Sequence, residues 1–385
     1  MLDFTYYNPT RIVFGRNTIA HLSQYVPADA RVLVLYGGAS AERNGTLAEV
    51  RAALTGRSLF EFGGIEPNPH FETLLRAVER VRAERIDFLL AVGGGSVIDG
   101  TKFIAAAARF DGDPWQIMQT RGAAVQDVLP FGTVLTLAAT GSEMNSGGVI
   151  TREADQTKVP FRNPKLFPQF SILDPEKTFS VPERQVANGV VDAFVHISEQ
   201  YLTTPVSGLA QDRFAEGLLQ TLIELGPQAL LAPHDYDVRA NLMWVATLAL
   251  NGLIGAGVPQ DWSTHMIGHE LTALFGLDHA RTLAIVLPGN LEVRREGKRA
   301  KLLQYAERVW HLTSGSEDAR IFGAISCTRE FFERMGLKTH LSDYDLGDEA
   351  IERVVQQLQA HGMVMLGEGR DVTPEIARRI LLACR

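Results

Sequence analysis

Cysteine is nearly absent: Cys327 and Cys384 are the only two in 385 residues. Two thiols are too few for a disulfide framework or a thiolate metal cluster, and this fits a reducing compartment. Clustered basic charge is missing as well, since 37 Lys and Arg stand against 45 Asp and Glu for a net charge of −8. Without a counterion-releasing surface, neither nucleic acid nor an anionic membrane is the expected partner; a small molecule is. No uninterrupted run of about 18 apolar residues occurs, so no transmembrane helix is expected. The start, MLDFTYYNPTRIVFG, has Asp3 and Pro9 where a signal peptide would carry a basic end and an apolar core. The expected location is cytoplasmic.

What is present is ordinary globular composition, 45% hydrophobic, with length enough for roughly two or three domains and a sizeable core. In the first half, short β-rich runs alternate with helical patterns, the signature of a parallel sheet covered by helices. Arg31–Tyr36, Ser58–Phe62, Phe88–Val92 and Val134–Leu137 read as strands. They are apolar throughout rather than alternating, as strands buried on both faces should be. Helices are expected from the Gly37-Gly38 turn to about Leu54 and from about His70 to Glu84. After Asp174-Pro175 strand-like runs become rare and 3.6-residue periodicity dominates. This divides the chain into an α/β domain, residues 1–178, and an all-α domain, residues 179–385. Ser180 reads as the N-cap of a helix running to about Leu202, with Pro182 in its first turn and Glu183 completing a capping box.

Two groups of residues carry chemistry. Gly93-Gly94-Gly95-Ser96 lies between a buried strand and a helix, where backbone N–H groups can face an anion with no Cβ in the way. A tight strand-to-helix turn explains the glycines equally well. The dinucleotide fingerprint GxGxxG is absent, and the near-match to a P-loop has Thr101 and Lys102 in the wrong order. Gly37-Gly38-Ala39-Ser40 repeats the arrangement after the first of these strands, so two adjacent turns could hold the two ends of a dinucleotide. Farther on, Asp192 and His196 stand four apart on one helix, as do His265 and His269, and His279 follows. A lone pair of this kind is usually a surface hydrogen bond. Four of the ten histidines in two short segments, among apolar neighbours, are harder to explain that way. One carboxylate with two or three imidazoles suits divalent zinc or iron with an open coordination position.

These residues bear a family resemblance. GGGSVIDGTK (93–102), ATGSE (139–143), DAFVH (192–196) and HMIGHELTALFGLDH (265–279) resemble the iron-containing, group III alcohol dehydrogenases over essentially the whole chain. The passages VANGVVDAFVH and GLIGAGVPQDWSTH resemble the NADPH-dependent aldehyde reductase and butanol dehydrogenase branch. The resemblance implies a Rossmann-like sheet domain joined to a helical domain, as in dehydroquinate synthase. It implies metal ligands at Asp192, His196, His265 and His279, with His269 as a proton-relaying histidine beside the nicotinamide. Cofactor contacts are implied at Gly94, Gly95, Ser96, Asp99, Lys102, Thr136, Thr140, Ser142 and Lys158, joined by Gly37, Gly38 and Ser40 of the first turn. The chain departs from the commoner family ending at Leu277-Asp278-His279-Ala280, where many members have proline before the last histidine and glycine after it.

The implied reaction is reversible hydride transfer between NADP(H) and a small aldehyde or primary alcohol, with zinc or iron as Lewis acid and a homodimer as the assembly. For the cofactor, two rules conflict. The general rule for doubly wound folds looks for an acid about 20 residues past the first glycine turn and finds Glu61, favouring NAD. The family position is Ala39, where NAD-using members tend to carry an acid; alanine followed by Ser40 favours NADP. Two other readings stay open. A metal-dependent, NAD-using lyase or synthase of the dehydroquinate synthase type would need a pocket rich in Lys and Arg, whereas the segment around His265–His279 offers mainly Arg281. A non-catalytic dinucleotide sensor would leave the clustered ligands without a purpose.

Overall fold

The computed structural model describes residues 1–385, and its chain divides into two compact units. One comprises Tyr7–Pro182 and His234–Thr247; the other comprises Met1–Tyr6, Glu183–Pro233 and Leu248–Arg385.

The first unit is built on eight strands, β1 (Arg11–Phe14), β2 (Arg31–Tyr36), β3 (Ser58–Phe62), β4 (Phe88–Gly93), β5 (Phe131–Leu135), β6 (Gly147–Arg152), β7 (Thr157–Arg162) and β8 (Phe170–Leu173). Six of them form one wholly parallel sheet in the order β1-β8-β5-β4-β2-β3, and β6 and β7 pair separately as an antiparallel hairpin. Helices α1 (Leu22–Tyr25), α2 (Ser40–Arg43), α3 (Thr46–Ala53), α4 (Phe71–Ala83), α5 (Gly95–Ala107) and α6 (Trp115–Gln119) connect them. The apolar strands bury both faces by alternation. Leu33, Leu35, Leu89 and Ala91 enter one core cluster, while Val32, Val34, Phe88, Leu90 and Val92 enter the other.

Three expected boundaries move. The strand expected at Val134–Leu137 runs from Phe131 to Leu135, because its partner β4 ends at Gly93, paired with Leu135. The helix expected between residue 38 and Leu54 is two helices, α2 and α3, broken at Gly45, which has φ +81°. Ser180 is not a helix cap. Val181 precedes Pro182, and a residue before proline is pushed out of the helical region, so the helix begins only at Glu183. Ser180 Oγ instead accepts from Asn44 Nδ2 at 3.0 Å. Strands β1 and β8, only four residues each, were not among the expected four.

The second unit is helical: α7 (Glu183–Tyr201), α8 (Leu209–Leu231), α10 (Ser263–Phe275), α11 (His279–Val293), α12 (Arg299–Arg308), α13 (Glu317–Arg334), α14 (Asp348–Ala360) and α15 (Pro374–Ala383). Most of α9 (Tyr236–Ala249) belongs to the sheet unit instead. There Met243 joins the core, the guanidinium of Arg16 lies 3.7 Å from the Tyr236 ring, and Thr247 Oγ1 donates to Glu143 Oε1 at 2.6 Å. Helix α7 is buried along most of its length, from Val186 to Tyr201.

Candidate metal centre and nucleotide-binding turns

The sheet order locates the ligand end of the first unit. From β2 the chain moves outward to β3, but from β4 it moves the other way to β5 and then β8, so the order reverses between the adjacent strands β2 and β4. In open α/β sheets that reversal opens a crevice beyond the carboxyl ends of the strands. The two glycine turns are the ones that follow β2 and β4. Gly94 stands at the N-cap of α5 in extended conformation and Gly95 is its first residue, so the opening N–H groups point out of the helix end. A Cβ on Gly95 would come within 2.3 Å of Thr140 Oγ1. The glycine is required for this turn to lie against the loop after β5, where Thr136 N donates to Gly93 O at 3.0 Å. Gly94, Gly95, Ser96, Thr136 and Thr140 are thereby brought together, and Gly38, Ala39 and Ser40 lie exposed at the neighbouring turn.

Lys158 reaches this group through a residue that sequence reasoning missed. Its Nζ donates to Asn68 Oδ1 at 2.9 Å, and Asn68 N donates to Ser96 Oγ at 3.3 Å. The signal was the segment GGIEPNP: Asn68 sits between two prolines at φ +55°, a left-handed conformation that asparagine tolerates.

Asp99, Lys102 and Ser142 form a network of their own. The buried Lys102 ammonium donates to Ser142 Oγ at 2.8 Å, Asn145 Oδ1 at 2.9 Å and Gly147 O at 2.6 Å. Ser142 Oγ donates to Asp99 Oδ1, and Val149 N donates to Asp99 Oδ2 at 2.9 Å. With three protein acceptors for its three protons, Lys102 ties α5 to the 142–149 segment. Burial pushes the Lys102 ammonium down to about 8, opposed by the nearby Asp99 carboxylate, and pushes Asp99 up.

The second unit gathers the proposed metal donors. Asp192, His265 and His279 each offer a ligand atom, all within 4.8 Å of one another. Around Asp192 Oδ1 stand His196 Nδ1 at 3.6 Å, His279 Nε2 at 3.7 Å and His265 Nε2 at 3.9 Å. His196 lies alongside that trio, its ring centroid 4.6 Å from that of His265. The His269 ring is 5.1 Å from that of His279 and 6.4 Å from that of His265, so it borders the group without entering it.

Glu199 is a further residue that the sequence reading missed. It follows Asp192 and His196 on the same face of α7, at the i, i+4, i+7 spacing that could have revealed it. Its Oε2 is hydrogen-bonded to His265 Nδ1, and its two oxygens accept Thr264 N at 2.7 Å and His265 N at 3.2 Å. Burial, reinforced by the Asp261 carboxylate, pushes Glu199 above the usual carboxylate range. Asp261 in turn accepts Ser263 N at 2.9 Å and so satisfies the first N–H of α10, the helix that carries His265 and His269. Burial opposes its charge, yet Glu368, Lys298 and Arg294 together hold Asp261 below its ordinary value.

The donors fit a metal ion. Two ligands across a centre with bonds of about 2.0–2.1 Å lie no more than about 4 Å apart, and the three distances from Asp192 satisfy that. Asp192 Oδ1 is buried and accepts no hydrogen bond, a costly arrangement unless a cation faces it. Contact with Glu199 through Nδ1 leaves His265 Nε2 turned to the donor group, the usual way an imidazole is fixed for coordination.

Comparison with known proteins decides the family. Residues 9–175 match the iron-containing alcohol dehydrogenase family, and residues 186–370 match the C-terminal part of the Fe-containing alcohol dehydrogenase family. The chain belongs to the iron-containing alcohol dehydrogenases. Among members of this family, the NADPH-dependent aldehyde reductase YqhD of Escherichia coli K12 is 58% identical over all of both chains. The probable NADH-dependent butanol dehydrogenase 1 of Bacillus subtilis 168 is 40% identical, again over all of both. The crystal structure of E. coli YqhD superposes with a TM-score of 0.99, covering 100% of this chain and 99% of that one. That of the NADH-dependent butanol dehydrogenase A of Thermotoga maritima gives 0.95 at 33% identity, with the same coverage. Membership of this oxidoreductase family across both halves leaves the synthase and the sensor readings unsupported.

Proposed function

We propose that the protein reduces small aldehydes to primary alcohols with NADPH, reversibly, using one divalent metal held by Asp192, His196, His265 and His279. The carrying observation is the convergence of three imidazole nitrogens on the buried, hydrogen-bond-free Oδ1 of Asp192. The NADPH-dependent aldehyde reductase that is 58% identical supports the direction of the reaction and the cofactor. On this reading residues 1–178 serve the dinucleotide and residues 179–385 serve the metal.

When bound, the metal supplies Lewis acidity toward the oxygen of the aldehyde or alcohol. Asp192 contributes the one ligand charge, so three neutral histidines leave the centre net positive and its pull on oxygen is not cancelled. Glu199 holds His265 in the tautomer that presents Nε2. His269, next to the donors but outside them, is the group to hold and pass on the proton that the alcohol oxygen gains, since an imidazole titrates near neutrality. Gly94, Gly95 and Ser96 receive the pyrophosphate on the N-terminus of α5. Gly37, Gly38 and Ser40 take the adenosine end, and Thr136, Thr140 and Lys158 take the remaining polar groups. Asp99, Lys102 and Ser142 serve by holding the loop in shape.

Iron is the metal we propose, since the family is iron-containing; zinc accepts the same ligand set. No helix is long and apolar enough to cross a membrane, and both cysteines are free thiols, which supports a cytoplasmic setting. A homodimer is proposed as the assembly, β1 being an edge strand with one side open.

The test is spectrophotometric. Protein purified without a metal-chelating column should oxidise NADPH only when an aldehyde is added, and should contain about one iron per chain. Aldehyde-independent oxidation, or none with any short-chain aldehyde, would refute the activity, and zinc in the metal analysis would replace iron.

A further inference from the structure

One polar stripe runs along helix α7. Arg184, Asn188, Asp192, His196 and Glu199 follow one another at steps of four, four, four and three, which keeps them on one face. Asp192, His196 and Glu199 meet the metal donors. The first two members meet Asp278.

Asp278 Oδ2 accepts from Arg184 Nε at 2.9 Å, from Arg184 Nη2 at 2.6 Å and from Asn188 Nδ2 at 3.0 Å. Asp278 directly precedes His279 and occupies the N-cap position of α11. Aspartate in that position ordinarily turns its carboxylate onto the first N–H groups of its own helix. Here it makes no such hydrogen bond; the carboxylate faces α7, with Arg281 Nε of its own helix farther off at 3.5 Å. His279 has the most to gain from an external hold. It is the first residue of its helix, and its side chain is 23% exposed, against 5% for Asp192 and 6% for His265.

We propose that Asp278, gripped by Arg184 and Asn188, is a positioning residue that sets His279 against Asp192 for metal binding. This rests on the reading that Asp192, His265 and His279 hold a metal. The geometry separates this role from a merely stabilising one. Arg184 is 62% exposed, and an ion pair that open to water adds little to the fold. Yet three donors from successive turns of α7 fix one oxygen in direction, and with it the backbone on which His279 begins.

The test uses the full-length protein with Zn(II) as probe, reading the rate of zinc loss to a chelator, the zinc-induced rise in Tm, and the Tm of the metal-free form. Asp278→Ser keeps a good capping side chain but cannot hold Arg184 through a charge. It should leave the metal-free Tm unchanged and weaken zinc binding by about 10- to 100-fold, the usual range when a residue orienting a metal ligand is lost. The double variant Arg184→Met/Asn188→Ala should do the same with Asp278 intact, and it decides the matter if Asp278→Ser does not fold. Zinc retention at the wild-type level in either variant would overturn the proposal. So would a metal-free Tm that falls as far as the metal-bound one, which would make Asp278 a structural residue only. Failure of the wild type itself to bind zinc or iron would overturn the metal-centre reading, an outcome visible before any variant is made.

Discussion

Arg51 holds the carboxylate of Glu61 through two hydrogen bonds, Nε to Oε1 at 2.7 Å and Nη2 to Oε2 at 2.9 Å. The same guanidinium reaches Glu42 at 3.0 and 2.9 Å. Glu61 is the acid that the general rule for doubly wound folds would assign to the ribose of NAD, and here each of its oxygens already accepts from Arg51.

Cofactor choice then falls to the first glycine turn, where Ala39 and Ser40 are exposed. Alanine presents no charge to repel a 2′-phosphate, and Ser40 can donate a hydrogen bond to it. NADPH should exceed NADH in kcat/KM by at least about tenfold, the equivalent of one charge-assisted contact of roughly 1.5 kcal/mol. Ala39→Asp should erase or invert the ratio, while Glu61→Ala should leave it in favour of NADPH. Equal use of both cofactors by the wild type would defeat the argument, and loss of preference in Glu61→Ala alone would show that the acid on β3 is the discriminator.

The proposed metal donors and the proposed nucleotide turns come from different units, so they should fail separately. His265→Ala is expected to lose its metal and its turnover while binding NADPH within a few-fold of wild type. Metal content by elemental analysis and NADPH affinity by fluorescence titration give the two readouts. Full metal occupancy in this variant would remove His265 from the ligand set.

His269 makes the opposite case. Its ring lies beside those of His265 and His279, yet three-donor convergence on Asp192 is complete without it. His269→Ala should therefore keep its metal and lose about 10²- to 10⁴-fold in kcat, the usual contribution of a proton-transferring group. A variant that loses metal instead would make His269 a ligand.

Much of this was legible because spacing survives folding. The apolar runs gave β2, β3 and β4 within a residue of their bounds, and the i, i+4 pairs put Asp192 with His196 and His265 with His269 on single helix faces. What was not legible depended on contacts distant in sequence. Glu199 meets His265 across 66 residues and Asn68 meets Lys158 across 90; local spacing marks Glu199 and Asn68 as candidates, but it names neither partner. The helix start at Ser180 failed for a local reason that was available, since Pro182 restricts Val181. Motif position makes Lys102 a cofactor contact, whereas contacts distant in sequence turn its three protons toward Ser142, Asn145 and Gly147.

That buried ammonium gives a pH prediction. Burial lowers Lys102 from 10.5 to about 8 in the folded protein, against the pull of Asp99. Between about pH 8 and 10.5 the unfolded chain therefore carries a proton on this lysine that the folded chain does not. Stability rises with pH wherever the unfolded state binds more protons, so this group's contribution increases across that window and is smallest below pH 8. Lys102→Met abolishes the titration. Urea unfolding of wild type and variant at pH 8 and pH 10 should show the wild type gaining about 2–3 kcal/mol relative to the variant, two pH units at about 1.4 kcal/mol each. The variant should be the less stable at every pH, because Asn145 Oδ1 and Gly147 O lose a buried donor. A difference that stays flat or narrows between the two pH values would mean that Asp99 keeps the ammonium charged, and that the two side chains form a permanent ion pair.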